Sequence, residues 1–397
     1  MTKGARPAWV IIALCAAVAL LEGYDNQAMG VAAPKMMPQL GLGHAQAGWV
    51  LSSSVVGLIV GAMLGGRLAD RIGRRPVLIG SVVAFGVFSL ATVAAKGFVA
   101  MVLVRIAFGL GMGGAMPNLI AIAAEVTAPG RRTAVTTLVF CGMSLGGAGS
   151  ALLARYAPPG LDWRMVFLIG GSLPLALAPA IGLILPETRP RHEGEAHGAQ
   201  GVAAALFGEG RARSTLPLWA GSAPTLFILY LMLNWLPMLA AAKGLSRADA
   251  PFASVAFNLA ALIGAPGLGA LIDRFGVRWP MAIAYAAMVG VMLALARASG
   301  AGQILLFSAL AGLLVVGAQF CLYGLAPSYY PSAVRGTGSG AAVAVGRLGS
   351  ILGPLVAGLL LGGGASAGQV LWTMAPVALA AGAAVLLLSL IGRRIEV

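Results

Sequence analysis

Twelve apolar runs, each long enough to cross a lipid bilayer, follow one another along this chain with polar breaks between them. A hydrocarbon core of about 30 Å needs about 20 apolar residues in a helix. The runs fall at 8–33, 47–69, 76–96, 98–125, 133–155, 164–185, 216–242, 251–273, 279–298, 302–328, 335–362 and 368–391. In lipid every backbone N–H and C=O needs an internal partner, so such runs become helices rather than open strands. Composition agrees: 59 % of the 397 residues are hydrophobic, 10 % are charged, and the mean hydropathy is +0.92. A soluble chain carries about a quarter charged residues. The expected fold is an all-α integral membrane protein, with twelve transmembrane helices in two six-helix bundles. The first run is too long for a signal-peptide core and contains Glu22 and Asp25, so it is expected to stay as the first helix.

An excess of 26 Lys and Arg over 12 Asp and Glu would suit nucleic acid if the basic residues formed one face. They come instead in ones, twos and fours between apolar runs, as membrane-flanking anchors do. The implied partner is the bilayer, and nucleic acid is excluded. With both termini in the cytoplasm, the inner segments hold more than twice the Lys and Arg of the outer ones, as the positive-inside rule asks. This predicts a multi-pass protein of a bacterial inner membrane. The longest polar interval, 186–215, reads as a cytoplasmic linker between bundles at 1–185 and 216–397, with a short surface helix near Val202–Gly208. Cys15, Cys141 and Cys321 sit in separate apolar runs, so neither a disulfide framework nor a Cys-rich metal site is expected, and no cofactor motif is present.

The chain repeats itself. Gly66-Arg67-Leu68-Ala69-Asp70-Arg71-Ile72-Gly73-Arg74-Arg75 follows the second run, and Gly269-Ala270-Leu271-Ile272-Asp273-Arg274-Phe275-Gly276-Val277-Arg278 follows the eighth. Gly, Leu, Asp, Arg, Gly and Arg recur at a constant offset of 203 residues. Parallel repeats of this kind build many secondary transporters. The first copy resembles throughout the loop signature of the major facilitator superfamily. Asp70 at a helix end can face a helix N-terminus, whose dipole favours an anion, or the neighbouring arginines. Gly66, Asp70, Arg71, Gly73, Arg74 and Asp273 are therefore read as conformational gating residues.

Ionisable groups at membrane depth default to function because they are costly there. Glu22, Asp25, Arg105 and Arg347 lie well inside runs, and Glu125 lies near the inner end of the fourth. At 1.5 Å per residue, Glu22 is about 21 Å and Asp25 about 26 Å from the inner side, while Arg105 on a descending helix is about 20 Å from it. Glu22 and Asp25 share a helix face. Two carboxylates with one guanidinium make a coupled titrating unit in which one acid is held ionised and the other carries a proton. The three histidines, His44, His192 and His197, fall in loops, which excludes a membrane histidine relay. Arg347 is near the midplane, with no acid in any span of the second half except Asp273 at a loop edge. A guanidinium so placed suits a substrate carboxylate, which it can grip with two parallel donors; solvation by a watery cavity is the alternative.

Glycines at 109, 111, 113 and 114, and at 142, 146, 147 and 149, allow close helix approach in lipid. Pro117 and Gly353-Pro354 are expected to mark kinks. Tyr230, Asn234 and Trp235 in the seventh run, and Gln319 and Tyr323 in the tenth, are polar or aromatic groups within spans. Gln319 and Tyr323 share a face and read as a cavity wall.

Several segments resemble one branch of the superfamily, the aromatic acid:proton symporters. They are Leu21-Glu22-Gly23-Tyr24-Asp25, Arg105 with Gly109 to Asn118 and Glu125, Asn234-Trp235-Leu236-Pro237, and Tyr330-Pro331 with Arg335-Gly336-Thr337-Gly338 and Gly346-Arg347-Leu348-Gly349. Glu22 stands where that branch usually has Asp, which is similar to its 3-hydroxyphenylpropionate carriers. The resemblance implies transport roles for Glu22, Asp25, Arg105 and Glu125 in proton coupling, for Arg347 in substrate binding and for Arg335 in gating. It adds Asn118 to the substrate set of Tyr230, Asn234, Trp235, Gln319 and Tyr323, and implies a monomer without cofactor or metal. The expected activity is import of an aromatic monocarboxylate, hydroxyphenylpropionate- or hydroxybenzoate-like, with protons by alternating access. The alternatives are a proton-driven exporter of drugs or metabolites and an importer of a non-aromatic acid. No nucleophile–base pair or cofactor motif supports an enzyme.

Overall fold

The computed structural model describes residues 7–128, 132–158, 162–185, 187, 201–331 and 334–392. Among the described residues thirteen α-helices follow in order: α1 Ala8–Gln39, α2 His44–Ile72, α3 Arg74–Ala94, α4 Gly97–Glu125, α5 Arg132–Tyr156, α6 Asp162–Ile184, α7 Val202–Phe207, α8 Ala212–Ala242, α9 Pro251–Phe275, α10 Arg278–Arg297, α11 Ala301–Leu325, α12 Arg335–Gly362 and α13 Ala367–Ile391. Twelve are long; α7 is the short linker helix, so the seventh span is α8 and each later span is numbered one higher. Among the described residues, eleven long helices are apolar enough to cross a membrane by length and composition. The remaining long helix, α5, carries the fifth apolar run, 133–155.

Two boundaries differ from the sequence reading for a physical reason. α1 runs through Pro34 and Pro38 to Gln39 instead of stopping at 33, since a proline removes one N–H without forbidding the helix when neighbours re-satisfy the freed carbonyl. Pro117 and Pro354 likewise sit inside continuous helices. His44 is the first residue of α2 rather than a loop residue. His192, His197 and most of the linker, 186 and 188–200, lie outside the described residues.

The chain packs as two compact units, Met1–Arg191 with Arg247–Val255, and His192–Ser246 with Ala256–Val397. Arg247–Val255 joins the first unit through Arg155 Nε donating to Asp249 Oδ1 at 3.1 Å and Gln27 Nε2 donating to Ser254 Oγ at 3.4 Å. The first unit's core gathers Leu78, Val82, Phe85, Phe108, Met112, Leu119 and Ile181, with Phe85 and Phe108 edge-to-face at 6.2 Å.

The repeat is written into the close helix contacts. A Cβ on Gly146 of α5 would collide with the Leu20 carbonyl of α1, and one on Gly349 of α12 with the Ala223 carbonyl of α8. Gly109 meets Ser54 and Gly312 meets Phe257; Gly61 meets Leu110 and Gly264 meets Leu313. Every partner pair is displaced by the same 203 residues seen in the loop motif. Only a missing side chain lets these backbones touch, and van der Waals contact is what holds helices together in lipid. Gly73 and Gly276, also one repeat apart, carry φ of +100° and +75° at the ends of α2 and α9, a conformation that glycine alone adopts without strain.

Candidate functional site

In the first unit, Glu22, Asp25 and Arg105 are withdrawn from solvent, at 2 %, 0 % and 1 % exposure. Tyr24, between the two acids, donates its hydroxyl to the Val166 carbonyl of α6 at 2.9 Å and pins α1 in rotation. Asp25 Oδ1 then accepts from Ser89 Oγ of α3 at 2.8 Å. Gly170 of α6 lies so near this oxygen that a Cβ there would strike it. Arg105 of α4 stacks over Phe108 at 4.1 Å from the ring centroid, and its charge and that of Asp25 act on each other. Asp25 Oδ2 and Arg105 Nε and Nη1 make no hydrogen bond. A buried charge without full pairing is expensive. Asp25 and Arg105 are thus not closed into a hydrogen-bonded ion pair.

In the second unit a cluster forms around Arg347. Glycines flanking Arg347 draw α12 onto α8: a Cβ on Gly349 would strike the Ala223 carbonyl, and one on Gly353 the Phe227 carbonyl. This close approach delivers Arg347 to Tyr230, whose hydroxyl accepts from Arg347 Nη1 at 2.7 Å, with the guanidinium 5.9 Å from the ring centroid. Tyr323 of α11 stands within electrostatic reach of both Arg347 and Tyr230, and Gln319, one turn earlier, neighbours the Tyr323 hydroxyl. Four of the seven substrate residues expected from sequence are thus linked in one cluster. The other three bond backbone. Asn234 Nδ2 donates to the Tyr230 carbonyl at 2.8 Å, Trp235 Nε1 to the Pro354 carbonyl at 3.0 Å, and Asn118 Nδ2 to the Gly114 carbonyl at 2.8 Å in the first unit.

The residues expected to gate divide as well. Asp70, Arg71 and Asp273 are exposed, and Gly66 has open space where a Cβ would go. Gly73 lies against the Glu187 carboxylate. Arg74 forms an ion pair with Glu125, and Arg75 donates to the Gly182 carbonyl of α6. Glu125, grouped with the proton residues on sequence, thus sits with the loop motif, about 30 Å along α4 from Arg105 at 1.5 Å per residue. Arg335 Nε reaches the Tyr330 carbonyl weakly at 3.5 Å, and the Tyr330 hydroxyl pairs with Thr215 Oγ1 at 2.9 Å. Burial raises the Tyr330 phenol above its ordinary value and the Thr215 hydrogen bond opposes that. Among the described residues no group of three or more His, Cys, Asp or Glu could hold a metal.

Ser89, Gly170 and Phe108 shape the acid site, yet the sequence did not single them out. A serine or phenylalanine in an apolar run is commonplace. Gly170, by contrast, belongs to the small-residue pattern that marks close approach.

Comparison with known proteins now adds to this geometry. The profile of the Major Facilitator Superfamily matches residues 15–350 and 218–395. The chain is 42 % identical over 377 residues to the 3-(3-hydroxy-phenyl)propionate transporter of Escherichia coli (strain K12), covering 95 % of this chain and 93 % of that protein. It is 33 % identical to the 4-hydroxybenzoate transporter PcaK of Pseudomonas putida, over 94 % of this chain and 91 % of the relative. Among solved structures, the nucleoside transporter NupG superposes with a TM-score of 0.79 at 15 % identity, covering 95 % of this chain and 99 % of that one. The xylose transporter XylE from E. coli, inward open, gives 0.76 at 18 % identity over 98 % and 97 %. These structures share the fold.

Proposed function

The chain belongs to the Major Facilitator Superfamily, and on that premise we propose that it imports an aromatic monocarboxylate together with protons by alternating access. The observation that carries the reading is the Arg347–Tyr230–Tyr323 cluster: a guanidinium bonded to the Tyr230 hydroxyl, with Tyr323 within electrostatic reach of both. A carboxylate bound there gains charge-assisted hydrogen bonds that a neutral solute does not, and the rings offer an aromatic solute matching faces. The relatives named for hydroxyphenylpropionate and hydroxybenzoate support the same substrate class. Glu22 and Asp25 beside Arg105 carry the proton. One proton per monoanion makes uptake electroneutral; each further proton adds about 2.3 kcal/mol per 100 mV of membrane potential. The protein works as a monomer in a bacterial inner membrane with both termini in the cytoplasm. As a member of a transporter superfamily it is not an enzyme.

Purified protein in proteoliposomes, offered a panel of aromatic acids with and without an imposed pH gradient, tests this. Hydroxyphenylpropanoate or hydroxybenzoate should accumulate above equilibrium only when the outside is acidic. Equal steady-state enrichment without the gradient refutes proton coupling, and indifference to every aromatic acid refutes the substrate class.

A further inference from the structure

We propose that Gln319 reads a hydroxyl group on the ring of the transported acid, an inference that rests on the substrate class above and adds a specificity element to it. Gln319 is fully buried, at 0 % exposure, and neither its amide oxygen nor its amide nitrogen makes a hydrogen bond of acceptable geometry. Other buried amides in the protein behave differently. Asn118 and Asn234 donate to the carbonyls one turn back on their own helices, each at 2.8 Å, and Gln27 donates to Ser254. The Tyr323 hydroxyl, one turn on from Gln319, adjoins the amide and lies within electrostatic reach of Arg347 and Tyr230. The open amide and Arg347 thus share Tyr323 as a neighbour.

A buried amide whose donor and acceptor are both unused destabilises a fold, and an apolar residue of the same shape would not. Its retention in an apolar helix makes sense when a ligand completes it. The missing partner must both donate and accept, since Oε1 needs a hydrogen and Nε2 a lone pair. A phenolic hydroxyl does both through one atom. With the carboxylate at Arg347 and the hydroxyl at Gln319, the ring is read from two ends. An acid lacking the hydroxyl leaves the amide unpaired in the bound state, which is the arrangement that discriminates most strongly against the deoxy analogue.

The test compares initial uptake of 3-(3-hydroxyphenyl)propanoate and 3-phenylpropanoate in proteoliposomes, as kcat/KM, for the wild type and Gln319→Leu. The wild type should prefer the hydroxylated acid at least tenfold, and Gln319→Leu should lose at least tenfold of that preference, mainly through the hydroxylated acid. A wild type that carries both acids equally overturns the proposal without any variant. So does a variant that keeps the wild-type ratio, or that slows both acids in proportion, as a packing defect would. Its melting temperature reports whether it is folded. A wild type that carries neither acid overturns the substrate class itself and this inference with it.

Discussion

Replacing Arg347 by lysine keeps the charge and removes the geometry, which makes it the sharpest probe of the second-unit cluster. In the structure one guanidinium nitrogen, Nη1, is engaged by the Tyr230 hydroxyl at 2.7 Å. An arginine can hold that bond and still present two parallel N–H donors to a carboxylate; an ammonium group is a point charge without that fork. The variant should therefore lose one charge-assisted hydrogen bond, worth about 1.5–3 kcal/mol. At 1.4 kcal/mol per factor of ten, that is about 10- to 150-fold weaker binding. Equilibrium dialysis or calorimetry on purified protein with the preferred aromatic acid measures it directly, free of any effect on the transport cycle. An Arg347→Lys variant whose Kd stays within twofold of wild type refutes bidentate carboxylate binding and leaves Arg347 as a solvated structural cation.

Asp25→Asn should abolish accumulation driven by a pH gradient while exchange of labelled for unlabelled substrate continues, because the amide keeps the Ser89 contact but cannot cycle a proton; full accumulation by both Asp25→Asn and Glu22→Gln refutes the coupling role. Gly146→Ala and Gly349→Ala should each destabilise by about 1–3 kcal/mol, the cost of overpacking, because each added methyl meets a backbone carbonyl. Gly290→Ala, which points into open space, should be neutral or stabilising, and thermal unfolding in detergent compares the three. Equal melting temperatures would remove the argument that these glycines hold α1 to α5 and α8 to α12.

Span number and helix type were legible because hydropathy is the solvent's own criterion: a run that fits the bilayer has one viable backbone. The repeat was legible because its loop motif kept Gly, Asp and Arg in register. Arg347, Tyr230, Gln319 and Tyr323 could be proposed one by one, since each breaks an apolar pattern, but their union depended on how closely α12 approaches α8. That distance is set by glycines whose partners are backbone atoms, and backbone atoms leave no trace in a side-chain sequence. Asn234 and Trp235 looked alike as candidates, yet each spends its N–H on a carbonyl, a local bond that composition does not reveal. Glu125 shows a different limit: the residue was noticed, but its partner Arg74 was counted as part of another motif.

Duplication explains the scaffold and also isolates what is particular to each half. One repeat on from Glu22, Asp25 and Arg105 stand Thr225, Ile228 and Ser308, and one repeat back from Arg347 stands Ser144. Thr225 uses its hydroxyl on Tyr285 at 2.6 Å, closing with a neutral pair the position that an acid occupies in the first unit. The close glycine contacts repeat in register, but the charges do not. A carrier that binds an anion with one guanidinium and moves a proton on a carboxyl group has reason for this separation. On the proposed mechanism, a second arginine next to Asp25 would add to the hold of Arg105 and keep that acid ionised. On the proposed mechanism, acids in one unit and the substrate cation in the other keep both groups able to cycle. On this argument, an acid introduced at Ile228 should impair substrate binding before it impairs folding. The Ile228→Asp variant, assayed for affinity and melting temperature together, separates that result from simple disruption of the core.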